Sequence, residues 1–200
     1  MGGKRMRGEE RRKSILAHAK HVFAEHSYAD ASTGELARAS DVTEPMLYKH
    51  FGSKRGLFLA VLDEFGNRFL QMFRERVSRK AEQNLVEELG QVFLDYRETI
   101  QADPDIQRVL FQGLSEVNDA QVAQGVREYN QDLYMLVHQL LERAQKEEII
   151  RADVHLEVAT WGYLSVILAM QYSVILDFQP ELTKGTLTEL NRFWLRALQP

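Results

Sequence analysis

The stretch from Ser32 to Phe51 constrains this chain more than any other. Ser32 with Glu35 three residues on has the form of a capping box, in which each side chain satisfies a free backbone donor of the other residue. Thr43 with Pro45 just after it marks a second helix start, because proline is tolerated in a first helical turn. The residues from Arg38 to Asp41 must then reverse the chain. Two short helices joined by such a turn form a helix-turn-helix, whose second helix can enter a DNA major groove. Leu36, Ala37, Val42, Leu47 and Phe51 are the residues such a unit would bury. Leu47 and Phe51, four apart, share one helix face. Asp41 falls where the turn calls for a left-handed backbone, which Asp accepts better than most residues other than glycine.

Charge sharpens this reading when it is counted by region. The whole chain of 200 residues carries −4. Residues 1–56 hold eleven Lys/Arg against seven Asp/Glu, a surplus of +4, and residues 57–200 hold fourteen against twenty-two, a deficit of −8. Attraction to phosphate is thus concentrated where the helix-turn-helix lies. No cysteine is present, which excludes disulfides, zinc thiolate sites and cysteine nucleophiles. No secretory signal is evident in Met1–Arg5. The longest apolar stretch, Trp161 to Leu176, is interrupted by Gln171 and two serines and is too short and polar for a membrane span. It suits a buried helix at a subunit interface. A cytoplasmic location follows as the expectation.

Spacing predicts an all-α chain. After a basic arm, Lys4–Gly8, a first helix spans Glu9 to His26, with Ile15, Leu16, Ala19, Val22 and Phe23 on one face. A long helix from Lys54 to Ala81 carries Leu57, Phe58, Val61, Leu62 and Phe65 towards the head, then Phe69, Leu70 and Phe73 towards the body. Further helices are expected over Asn84–Gln101, Asp103–Glu116, Ala120–Glu148, Leu156–Asp177 with Asp153 as its cap, and Thr183–Leu198, with a break at Gln179-Pro180. The domain boundary is placed between residues 56 and 57: 9–56 for the DNA-binding head, with its motif at 32–51, and 57–200 for the body.

Over residues 11–65 the chain resembles the TetR family of transcriptional regulators. The matching text is Ile15-Leu16, Val22-Phe23-Ala24-Glu25, Tyr28, Glu35-Leu36-Ala37, Val42-Thr43, Leu47-Tyr48, His50-Phe51, Ser53-Lys54 and Leu57-Phe58. The resemblance implies an N-terminal three-helix DNA-binding domain joined by a long helix to a C-terminal helical ligand-binding and dimerisation domain. It implies that Ser32 and Thr33 cap the second helix and meet a phosphate. Gly34 lets the backbone approach DNA or leaves room for a base contact, and Thr43 caps the recognition helix. Glu44, Pro45, Met46 and Lys49 face base edges, while Tyr48, His50 and Lys54 reach phosphates, in keeping with phosphate contacts that position and base contacts that specify.

For the body, the resemblance implies an effector site and a two-fold dimer. Phe93, Tyr96, Phe111, Tyr129, Tyr134, His138 and Trp161 are candidates to line an apolar pocket with a few orienting polar tips, which favours a hydrophobic small molecule. Leu164, Leu168, Tyr172 and Ile175 form one stripe, and Leu190, Phe193 and Trp194 another. Two such helices from each subunit make a four-helix bundle, and a homodimer predicts a palindromic double-stranded operator. The implied protein is a repressor released when ligand in the body displaces the long helix. An activator, or a regulator without an effector, keeps the same fold.

Two rival readings have less support. His18 and His21 lie three apart on the first helix, but no partner completes a metal or catalytic site, so no cofactor, metal or enzyme activity is expected. A helical adaptor that binds protein fits poorly with the basic head. The departures from the family pattern lie at Ala31, Asp41, Glu44 and Met46. An acidic Glu44 at the groove edge weakens nonspecific attraction and can accept from a cytosine amino group. Glu44→Lys is therefore expected to raise affinity for random-sequence DNA and to steepen its salt dependence, measured by titrating a labelled duplex at several salt concentrations. Unchanged affinity contradicts this account of Glu44.

Overall fold

The computed structural model describes residues 8–81, 84–176 and 182–200. The described residues form ten helices and no strand. In chain order these are α1 (Gly8–Glu25), α2 (Thr33–Ala39), α3 (Glu44–Phe51), α4 (Lys54–Ala81), α5 (Leu85–Leu89), α6 (Val92–Ala102), α7 (Pro104–Ser115), α8 (Ala120–Lys146), α9 (Leu156–Ile175) and α10 (Lys184–Leu198). They pack as two units. The first runs to Asn67 and takes in Arg108–Arg127; the second comprises Arg68–Gln107 and Glu128–Pro200. The boundary expected at residue 56 therefore differs from the packing, because the start of α4, the end of α7 and the start of α8 all belong with the head. The basic arm and the Gln179-Pro180 break fall outside the described residues.

The first unit is built around α1, whose Ile15, Leu16, Ala19, Val22 and Phe23 are buried together with Leu36, Ala37, Leu47, Leu57 and Phe58. Phe23 and Phe58 meet edge to face at 5.1 Å, and Tyr28 lies 4.7 Å from Phe58. Such aromatic pairs contribute about 0.5–1.5 kcal/mol beyond the area they bury. The end of α1 is closed from a distance in sequence. Gln112 Nε2 donates to the carbonyls of Phe23 (2.6 Å) and His26 (3.2 Å), satisfying acceptors that a helix end leaves open. Arg55 pairs with Asp119 at 2.9 Å, and this guanidinium holds the Asp119 carboxyl below its ordinary range.

In the second unit Phe69, Leu70 and Phe73 of α4 join Phe93 and Tyr96 of α6, Leu133 to Ala144 of α8, Tyr163 and Ile167 of α9, and Leu187 of α10 in one core. The helix expected over Asn84–Gln101 is two helices, broken at Gly90-Gln91. Glycine is a poor helix former, and Gly90 is the C-cap of α5, its N–H donating to the Val86 carbonyl at 3.1 Å. After α8, Gln145 Nε2 donates to the carbonyls of Arg151, Ala152 and Val154 and so fixes the connection to α9. Asp153 does not cap α9: its carboxylate pairs with Arg151 at 3.1 Å, and α9 begins three residues later. Among the described residues no helix is long and apolar enough to cross a membrane.

The turn between α2 and α3 has the strained residue that its sequence announces. Asp41 has φ 51°. A left-handed backbone costs an ordinary L-residue about 1–2 kcal/mol, less for Asp. Asp41→Gly is therefore expected to leave stability within about 1 kcal/mol, and Asp41→Val to lose about 1–2 kcal/mol. Chemical denaturation of the two variants checks this; equal losses would mean the turn imposes no left-handed requirement.

Candidate nucleic-acid interface

The interface is set by two helix starts. Ser32 is the N-cap of α2: its Oγ accepts from Glu35 N at 3.2 Å, and Ser32 N donates to Glu35 Oε2 at 3.1 Å. Donation to the Glu35 carboxyl from Ser32 N, which contributes most, and from Ser32 Oγ holds that carboxyl below its ordinary range. The capping box is present as its spacing predicts. Thr43 occupies the N-cap of α3 with an extended backbone, but its hydroxyl makes no capping bond. Only Leu47 of α3 is buried. The helix is seated by that residue, with Phe51 half-buried beneath Arg12, whose Cζ lies 5.4 Å from the ring centroid.

The rest of α3 faces outward. Glu44, Pro45, Tyr48 and Lys49 are exposed, and Met46 and His50 are half-buried. Met46 Sδ receives Arg11 Nη1 at 3.5 Å. Arg11 and Arg12 join this surface beyond the residues that the sequence motif marks. Their signal is positional: they lie four residues before Ile15 and Leu16, hence on the same helix face as residues that pack inward.

Thr33 and Gly34 begin α2. Thr33 Oγ1 donates to Glu44 Oε2 at 2.9 Å, and a Cβ on Gly34 would lie 3.4 Å from Glu44 Oε1. Glu44 therefore folds back over α2. Lys54 has a task that its sequence position conceals. Its ammonium donates to the carbonyls of Tyr28 (2.8 Å), Ala29 (3.2 Å) and Ala31 (3.0 Å) and sits 4.8 Å from the Tyr28 ring centroid. All three of its donors are engaged with the loop between α1 and α2. Gly56 makes the neighbouring corner possible, since a Cβ there would fall 2.0 Å from the Phe51 carbonyl oxygen. The two helix-α1 histidines are occupied locally: His18 Nδ1 is 2.8 Å from Ser14 O, and His21 Nε2 is 3.4 Å from Glu25.

The body residues separate into groups. Phe111 belongs to the first unit, and the other six pocket candidates to the second. Phe93 and Tyr96 are wholly buried in the core. Gln171 Nε2 donates to the Tyr96 hydroxyl, and burial, with Tyr129 nearby, pushes the Tyr96 phenol up. Burial raises the Tyr129 phenol as well. Tyr134 stacks on His138 at 5.6 Å and lies 5.8 Å from Trp161, which is 57% exposed. Trp161 is thus an outer residue of its unit rather than part of an interior wall. Leu164 is the reverse case. Its spacing predicts a subunit surface, but at 5% exposure it is part of its own core. Leu168, Ile175, Leu190 and Trp194 are half-buried, and Tyr172 and Phe193 are exposed. Val158 and Leu176, also exposed, continue the outer face of α9.

Comparison with known proteins places this geometry. Residues 15–61 match the family described as "Bacterial regulatory proteins, tetR family". The chain is 31% identical over 151 residues to the transcriptional activator FasR of Mycolicibacterium smegmatis, covering 75% of this chain and 67% of FasR. It is 36% identical over 64 residues to the transcriptional repressor AcnR of Corynebacterium glutamicum, covering 32% of this chain and 34% of AcnR. Its fold is similar to that of FadR from Bacillus subtilis, solved in complex with stearoyl-CoA, at a TM-score of 0.74 and 18% identity, over 92% of this chain and 95% of FadR.

Lys54→Met separates anchoring from DNA contact. It is expected to lower the melting temperature while leaving the salt slope of DNA binding unchanged. A lost phosphate contact would instead reduce that slope by about 1 with stability intact.

Proposed function

From the premise that the chain belongs to the TetR family of DNA-binding transcriptional regulators, we propose that it acts as a cytoplasmic homodimer that represses transcription from a palindromic operator and is released by a small hydrophobic molecule. One observation supports the DNA-reading role above the rest. Helix α3 is held by a single buried residue, Leu47, and offers Glu44, Pro45, Tyr48 and Lys49 to solvent on the basic portion of the chain. In this reading Lys49, Tyr48 and His50 meet the operator, Arg11 joins them through its position beside Met46, and Lys54 acts as a positioning residue.

The dimer reading draws on the outer apolar residues of α9 and α10. Val158 is 66% exposed and Phe193 64%, and Trp161, Tyr172 and Leu176 are exposed as well. Burying such a surface against a second copy removes apolar area from water. The effector reading draws on the second unit, where the Asn191 amide and the Tyr163 and Tyr129 hydroxyls have no hydrogen-bond partner among the described residues. A buried polar group left unmatched costs about 1–3 kcal/mol, and a ligand with complementary groups offsets that cost. FadR, with its bound stearoyl-CoA, makes long-chain acyl compounds the first probes to use. Helices α4, α7 and α8 each contribute residues to both units. A rearrangement around a ligand therefore has continuous helices leading into the DNA-binding unit, provided the ligand binds the two states with different affinity.

A second reading, in which the bound protein activates transcription, is favoured by the name of FasR, whose match extends well beyond the head. Selection of bound sequences from a random DNA pool tests the common core of both. The expected result is a palindrome with half-sites about one helical turn apart, or a near multiple. Recovery of no enriched sequence, at a salt concentration where random DNA is released, contradicts the proposal.

A further inference from the structure

The bond between Thr33 and Glu44 links the starts of α2 and α3, and it has a consequence for how this protein selects DNA. A threonine hydroxyl has one proton to give. Here that proton goes to Glu44 Oε2 at 2.9 Å. The other carboxylate oxygen lies over the neighbouring backbone, 3.4 Å from where a Gly34 Cβ would stand. Ser32 is spoken for too, since its Oγ donates to Glu35 Oε2 at 2.9 Å. Both hydroxyls that open α2 are thus given to carboxylates of the protein itself. Thr33 is half-buried and Glu44 is exposed, so neither is walled off from an incoming duplex.

We propose that Glu44 is an internal stand-in for a DNA phosphate at the Thr33 hydroxyl, and that exchange of this bond during docking makes Glu44 a specificity-determining residue. The inference rests on the DNA-binding reading above. When the head docks, a phosphate oxygen takes over the Thr33 proton and the Glu44 carboxylate is freed at the first turn of α3. A freed carboxylate among phosphates is repelled. It is stabilised only where a base edge offers a donor, and in the major groove that donor is an exocyclic amino group, cytosine N4 first. On other sequences Glu44 keeps Thr33 and the phosphate contact is not made. The residue lowers affinity for DNA at large and restores it at sites with the amino group in the right place. Discrimination therefore comes from a cost imposed on wrong sites as much as from a gain at the right one.

A double-mutant cycle on the full chain tests this. Native protein, Thr33→Val, Glu44→Ala and the double variant are titrated with a random-sequence duplex at fixed salt, and bound sequences are selected with the native and Glu44→Ala proteins. Glu44→Ala is expected to bind the random duplex about fivefold tighter, the size of one net hydrogen bond. On the random duplex, where Glu44 keeps the Thr33 proton, Thr33→Val should cost the native protein clearly less than it costs the Glu44→Ala protein. In the Glu44→Ala background it should cost about fivefold, because only there is the hydroxyl free for phosphate. The Glu44→Ala pool should lose a cytosine preference held at one symmetry-related position by the native pool. Additive effects of the two substitutions, or identical pools, overturn the proposal while DNA binding stands. Failure of every protein to bind duplex overturns the DNA-binding reading and this exchange together. Melting curves identify a variant that does not fold, and Glu44→Leu, which removes the acceptor but keeps much of the size, then replaces Glu44→Ala with the same expected direction.

Discussion

Three rings and one ammonium hold the DNA-binding unit in its working form. Phe23 of α1 and Phe58 of α4 meet edge to face, Tyr28 packs against both, and Lys54 lies over the Tyr28 ring while donating to the carbonyls of residues 28, 29 and 31. The loop so fastened delivers Ser32 to the start of α2. The capping box then fixes the direction of α2, and Asp41 fixes the turn into α3. The exposure of the recognition helix is thus a consequence of packing some distance away. A helix of eight residues has little stability alone; α3 owes its form to the corner that carries it.

That dependence explains which parts were legible in sequence. The capping box, the left-handed Asp41 and the buried Leu36, Ala37 and Leu47 follow local rules, so residues within a turn or two of each other sufficed. Lys54, Gln112 and Glu44 did not yield to such rules. Lys54 answers carbonyls more than twenty residues earlier, and Gln112 closes α1 from 86 and 89 residues away. A basic residue near a recognition helix reads as a phosphate contact until the carbonyls that surround it are known. The compact units divide elsewhere than residue 56 for the same reason, since nothing in residues 108–127 announces that they pack with residues up to Asn67.

The body was legible as helices but not as faces. Helix α9 is apolar nearly all the way round, so spacing alone cannot choose which stripe turns inward. Leu164, which spacing places outward, is core, while Val158 and Trp161 are outward. Trp194 is accommodated against α9 only because residue 162 is glycine: a Cβ there would lie 2.4 Å from the Trp194 ring. That pairing of a small residue with a large one brings Trp194 of α10 against Gly162 and Tyr163 of α9.

In the proposed reading, one unit of this chain, organised from Phe23 to Phe58, presents α3 to duplex DNA while the second unit does not touch it. Amide hydrogen exchange, with and without a selected duplex, tests it most directly. Added protection is expected at the amides of Thr33, Gly34, Glu44 and residues 46–50, with those of α9 and α10 unchanged by DNA. Protection confined to α9 and α10, or absent from α3, would contradict it.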